Sequence, residues 1–345
     1  MEKIKKIIIL ELLICIIIFL NTNSQKGIPE KLSSYNFFLG DLKNLQPNQR
    51  IIPYELNSSL FTDYASKLRF IKLPEGKTIP YNSTEVLNFP EGTILIKNFY
   101  YPFDERKPEM GRRIIETRLL IHQSTGWKAY PYIWNEEQTD AILEITGETI
   151  PVSYVNLNGK KVNINYEVPN INQCKGCHEV AGKMSPIGPS ARQLNKETII
   201  DGYHQNQLTK WKELGILQIG KDELKNAPQL VDYLDESKSL SERTNAYLDI
   251  NCAHCHNEKG PAKNSGLFLN WNNLNVSSYG HLKSPVAAGR GSGNLKYDIV
   301  PGKPLESILF YRMNSTDPGI MMPEMGRTMV HKEGVELIRR WIRGL

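Results

Sequence analysis

Five cysteines occur in the 345 residues, and four of them fall in two short runs, Cys174-Lys-Gly-Cys177-His178 and Cys252-Ala-His-Cys255-His256. Two sulfurs separated by two residues and closed by an imidazole can form two thioether bonds to the vinyl groups of one haem. The histidine is then carried under the iron as its proximal ligand. Zinc fits less well, because paired Cys-x-x-Cys knuckles lie about 15–20 residues apart, whereas Cys174 and Cys252 stand 78 apart and each run ends in His. A dithiol redox site calls for a thioredoxin-like βαβ setting, which the flanking sequence lacks. The spacing therefore predicts two covalently bound haem c groups on Cys174, Cys177, Cys252 and Cys255, with His178 and His256 as axial ligands.

Each iron has a second face. Beyond His256, the run Ile320-Met-Met-Pro-Glu-Met325 offers three thioethers, and His/Met ligation raises a haem potential. Met322 is the preferred ligand because it directly precedes Pro323, whose ring restricts the local backbone; Met325 and Met321 are the alternatives. For the first iron, Met184 lies six residues beyond His178, and six extended residues reach about 20 Å, barely enough to pass the ring edge. His204 and a water-bound or open iron are the alternatives there. His254, inside the second attachment loop, is expected to face solvent. His122 reads as a surface or core residue, and His281 and His331 as minor ligand candidates. Arg312 and Arg327 flank the methionines, as propionate partners or as solvated surface charges.

The elements that must position these groups differ along the chain. Lys3, Lys5 and Lys6 lead into an apolar run over residues 7–20 and then into Thr22 and Ser24. This is the pattern of an export signal occupying 1–24, with an uncleaved anchor as the alternative. Residues 25–168 predict an all-β, sandwich-like domain. β-branched and aromatic runs at 68–73, 92–100 and 112–122 sit between Pro and Gly, and alternating residues flank Asn158-Gly159 as in a hairpin. Trp127, Tyr130, Tyr132 and Trp134 read as sandwich core or as a contact platform. From 169 onward apolar residues recur at helical spacing, over 206–215, 239–250 and 334–342, while 260–304 is rich in Gly, Asn, Ser and Pro and reads as loop. The expectation is a multidomain α+β chain. Its β-domain precedes a first haem c segment at 169–235 and a mostly helical cytochrome c-like domain at 236–345.

The formal net charge of +5 is mild and no dense Lys/Arg tract occurs, so nucleic acid is not an expected partner. An exported protein would ordinarily pair its cysteines; here the four outside the leader are all taken by the two runs. Attachment outside the cytoplasm, in a periplasm or equivalent space, makes the cytochrome c maturation machinery and a redox protein donor or acceptor the expected partners. The membrane would be touched only through an uncleaved leader.

Together these residues resemble a family of bacterial diheme c-type cytochromes of undefined role, with a β-rich N-terminal region followed by two haem c segments. The resemblance spans most of the chain beyond the leader. It is carried by Leu73-Pro-Glu-Gly76, Glu116-Thr-Arg-Leu-Leu120, Gly126-Trp127 and Tyr132-Ile-Trp-Asn135. It continues in the first haem motif with Pro186-Ile-Gly-Pro189 and Leu194-Asn195, then Asn206-Gln-Leu208 with Trp211. Tyr247–His256, Pro301-Gly302, Met322-Pro-Glu-Met-Gly-Arg327 and Trp341-Ile342 complete it. The resemblance implies haem c binding and electron transfer outside the cytoplasm. The competing expectation is a diheme peroxidase-like enzyme with an open distal position at the first haem.

Overall fold

The structure, a computed structural model, describes residues 27–200, 202–286 and 288–345; the expected leader at 1–24 lies outside the described residues. Six antiparallel strands follow one another in sheet order: β1 (Ile51–Tyr54), β2 (Ser66–Lys72), β3 (Ile94–Pro102), β4 (Arg112–Gln123), β5 (Gly126–Trp134) and β6 (Ala141–Leu143). The middle strands are apolar on both sides because both faces of the sheet are covered. Phe70, Ile96, Leu119 and Tyr132 pack with Leu32 and Phe37 of the N-terminal segment. Ile71 and Leu95, one register position on, pack with residues from the C-terminal half.

A separate hairpin, β7 (Glu148–Val155) and β8 (Lys161–Val168), lays Ile150, Val152, Ile164 and Tyr166 over Phe99 and Tyr101 of β3. Asn158-Gly159 lies in its connection, with Gly159 at φ +74°. The connection is a five-residue loop closed by the Asn156 N–H donating to the Lys160 carbonyl at 2.9 Å. Trp134 and Tyr132 are buried, and the Trp134 indole donates to Thr117 Oγ1 at 2.9 Å. These two aromatics fill core.

The expected fold class fails beyond the hairpin. Seven helices occur there: α1 (Ile171–His178), α2 (Ala191–Leu194), α3 (Gln207–Glu213), α4 (Lys221–Lys225), α5 (Leu240–Asn251), α6 (Ile308–Met313) and α7 (Lys332–Arg343). Only α5 and α7 reach twelve residues. Between them run two-stranded pairings, among them Glu197–Ile200 with Tyr203–Asn206 and Leu217–Gln218 with Ile79–Pro80. Among the described residues from Cys252 to Ser307 the chain is turns, bridges and single 3₁₀ turns. Strand outweighs helix, 28% against 23%, the strand is divided among several small sheets, and no helical cytochrome c-like region is evident. The physical reason is that the helical periodicities are short. Each is cut by Gly, Pro or Asn before it can bury a long stripe, and short helices draw their stability from tertiary packing.

The two long helices have clear causes. Ser239 Oγ accepts from the Glu242 N–H at 3.2 Å while Glu242 Oε2 accepts from the Ser239 N–H at 3.1 Å, a reciprocal cap that starts α5. Val335, Ile338, Trp341 and Ile342 form the buried stripe of α7. Where the two helices pack, Gly334 faces Tyr247, and a Cβ there would collide with the tyrosine ring. One hydrophobic cluster joins α5 and α7 to Tyr54, Ile71 and Leu95 of the large sheet and to Leu208 and Trp211 of α3. Sheet and helices therefore share a core, and the site lies between them.

Candidate functional site

The first motif is helical. Asn170 Oδ1 accepts from the Gln173 N–H at 2.9 Å and Gln173 Oε1 accepts from the Asn170 N–H at 2.9 Å, so α1 begins at Ile171. Cys174, Cys177 and His178 then stand at i, i+3 and i+4, one face of one turn. The second motif follows the C-terminus of α5. Cys255 and His256 both donate backbone N–H groups to the Cys252 carbonyl, at 3.1 and 2.9 Å, which gives the same compact turn.

All four cysteines and both histidines line one cavity of about 950 Å³ between the sheet and the C-terminal segments. A second cavity, of about 890 Å³, shares Cys177, His178 and His254 with it. The four thiols are free of disulfides. Burial pushes Cys174 up to about 11 and Cys252 and Cys255 to about 12, and raises Cys177 as well. They are thiols at neutral pH, so the site is not prepared for thiolate exchange. Among the described residues no three His, Cys, Asp or Glu side chains gather as a bare metal site, unlike a zinc knuckle.

Both closing histidines are held by one nitrogen. His178 Nδ1 lies 2.8 Å from the Ser185 carbonyl, and His256 Nδ1 lies 3.4 Å from Ser265 Oγ, with a further bond to the Leu267 backbone. Tying Nδ1 to an acceptor fixes the tautomer and leaves Nε2 as the ligating lone pair. Burial drives His178 down to about 4, opposed by the Ser185 bond and helped by Lys97, His254 and Arg118. His256 is lowered for the same first reason. Both imidazoles are neutral, the form that binds iron.

Met321, Met322 and Met325 all line the larger cavity. The methionine segment spans both motifs. Glu324 acts on the charge of Cys255 and His256, while the Met325 methyl lies 3.2 Å from where a Cβ on Gly176 would stand. Arg327 anchors this segment by donating to the carbonyls of Ser315, Met329 and Met322 at 2.8, 2.9 and 3.1 Å. Its guanidinium serves the backbone and is not a surface charge. Arg312 donates to the Ile320 carbonyl at 2.8 Å and lines the cavity.

Met184 is placed differently. It pairs with Glu179 in the short hairpin that follows His178 and does not line either cavity. His204 is exposed. His254, expected in solvent, lines both cavities, and its Nδ1 is covered with no hydrogen-bond partner. His331 is buried in the cavity wall, stacked on Phe61 at 4.1 Å and hydrogen-bonded to Tyr247 at 3.1 Å. His122 is held by the Phe89 carbonyl and stacked on Trp127, a structural role.

Sequence reasoning missed Arg69, Lys97 and Arg118, which reach the cavity from β2, β3 and β4. The signal was present: each is a cation interrupting an apolar stretch of strand, in Leu68-Arg-Phe-Ile71, Leu95-Ile-Lys97 and Arg118-Leu-Leu120. The residues brought together are thus Cys174, Cys177, His178, Cys252, Cys255, His256 and the methionine segment, walled on one side by a cationic stretch of sheet. No family model matches this chain, and neither a curated protein nor a solved structure is similar to it.

Proposed function

We propose that this chain is an extracytoplasmic protein that holds two haem c groups in one enclosure and passes electrons between them and a redox partner. The observation that carries the reading is that both Cys-x-x-Cys-His turns open on the same cavity with their histidines tied through Nδ1. Cys174, Cys177 and His178 would hold one group, and Cys252, Cys255 and His256 the other. Each haem supplies a one-electron iron couple whose potential follows its axial ligands, its hydrogen bonds and the dielectric around it.

The chain's own residues prepare that chemistry. Ser185 and Ser265 orient the two imidazoles, and the surrounding apolar core excludes water. Arg327 fixes the loop bearing Met322, the sulfur we assign to the second site. Toward the first site, Met325 has the position that Met184 lacks, since its methyl reaches Gly176 between the two attachment cysteines. Enclosure of both motifs by a single wall suits direct exchange between the two centres. A second reading, a diheme peroxidase-like enzyme with an open first site, is favoured by the absence of Met184 from the cavity lining.

Expression in a host that matures c-type cytochromes tests both readings. Intact mass should show two haems bonded to the chain, and the resting ferric spectrum should show two low-spin centres. A high-spin centre with peroxide turnover would favour the enzyme. Colourless protein with four unmodified thiols would end both readings.

A further inference from the structure

Arg69, Lys97 and Arg118 stand directly opposite one another across three adjacent strands, with Arg69 paired to Lys97 and Lys97 to Arg118 in the ladder. Like charges at facing positions of a sheet repel, and here the row lines the cavity that both motifs share. Its partners among the described residues do not balance it. Arg118 pairs with Glu116, which also accepts from Tyr166 at 2.5 Å. Arg69 donates to Ser59 Oγ at 3.0 Å, and the Lys97 ammonium lies 4.8 Å from the centre of the Phe99 ring with no carboxylate in contact. Only Arg118 of the row has a carboxylate in contact. Burial lowers both Lys97 and Arg69, and the cations beside Lys97, Lys67 among them, lower it further. A carboxylate entering the cavity would relieve the row, and a haem carries two propionates.

The row acts chiefly on the first motif, through Lys97 and Arg118 on His178, while Lys97 also reaches the second loop at His254. The side-chain charges acting on His178 are Lys97, His254 and Arg118, whereas those acting on His256 are Arg312, Glu324 and Lys283. Arg118 also lies in the field of Cys174 and Cys177. Guanidinium groups match carboxylate geometry in two-pronged fashion, and an ammonium adds a compact charge between them.

We infer that Arg69, Lys97 and Arg118 seat the two propionate carboxylates of the haem attached at Cys174 and Cys177. The β-sheet is then one half of that haem's enclosure. This rests on haem attachment at the first motif, as proposed above. Cations beside a haem favour the reduced iron over the oxidised iron, which carries one more positive charge. The sheet therefore raises the potential of the first centre and leaves the second to its own surroundings.

The test is redox titration of the mature protein with Lys97→Met, Lys97→Arg and Arg69→Gln. With both haems attached, K97M and R69Q should each lower one midpoint potential and leave the other in place, and K97R should restore it. In a background with Cys174→Ala and Cys177→Ala, which keeps only the second haem, K97M should move nothing. Two unchanged midpoints in K97M and R69Q, or equal shifts in both haems, would overturn the inference while haem attachment stands. If inorganic phosphate or acetate shifts the wild-type spectrum or potential and K97M abolishes that response, the row serves a diffusible anion and the propionate assignment falls. Absence of covalent haem from the wild-type protein would instead remove the reading beneath it.

Discussion

The two Cys-x-x-Cys-His turns share a cavity but not an environment. The first is a short capped helix set against a β-sheet, and the charges around its histidine come from strands far away in sequence. The second closes a twelve-residue helix packed on α7 and on apolar residues of the main hydrophobic cluster, with Asp249 paired to Arg192 at 3.0 Å. The first site is faced by cations of the sheet, and the second by charges of mixed sign, Arg312, Glu324 and Lys283, beside a packed helix pair. The contrast shows how one short motif can be given two electrostatic settings, so that the two centres proposed above need not share a potential.

Several experiments would break or sharpen that contrast. The largest effect is expected from removing an attachment pair. Cys252→Ala with Cys255→Ala should delete one haem by mass and unfold the C-terminal half, because the vacated space lies among α5, α7 and the sheet. Cys174→Ala with Cys177→Ala should delete one haem with a smaller loss of melting temperature. Equal losses in the two variants would erase the distinction drawn here.

Acid should weaken the packed side through His331. Burial first, with smaller contributions from Lys67 and Arg327, holds its imidazole down to about 4 from an ordinary 6.5, against the opposing pull of Glu333. A histidine whose folded value lies below its unfolded value binds protons more readily when unfolded. Its contribution is complete above about pH 6.5 and is lost as pH falls from there to about 4, by roughly 3 kcal/mol at the acid end. Denaturant titrations of wild type and His331→Gln across that window should show the shallower slope in the variant; parallel slopes would exclude His331 as the cause.

A smaller effect is expected at the helix crossing. Gly334→Ala places a methyl against the Tyr247 ring and should cost about 1–3 kcal/mol, the usual range for overpacking, with the spectrum of the first centre unaltered. The smallest effect belongs to Met184→Leu. Outside the cavity lining, this residue should leave the optical spectrum unchanged, whereas Met325→Leu should alter one centre. A spectral change in M184L would return that methionine to the iron.

Much of the strand pattern was visible in advance. Residues 68–73, 92–100 and 112–122 fall in β2, β3 and β4 to within a few residues, since β-branched and aromatic runs bounded by Pro and Gly are a local signal. The helical expectation for the second half was overdrawn. Leu208 and Trp211 do sit on a helix, but α3 stops at Glu213 and Gly215 turns the chain at φ +67°. Spacing over ten residues cannot tell an isolated turn of helix from a domain built of them. The expectation that Met184 would serve as ligand came from reach along the chain, and reach ignores the pairing of Glu179 with Met184 that turns the segment back.

What the amino-acid order determined alone is a local grouping: two sulfurs and an imidazole within five residues are brought together by one turn of backbone, whatever surrounds them. What only the folded chain decided is the company these groups keep. That the two turns share a cavity, that Met325 reaches Gly176, and that Arg69, Lys97 and Arg118 line up beside the first turn all depend on strand register and on packing between distant segments. Such contacts are set by the whole core at once, so no local window of sequence contains them.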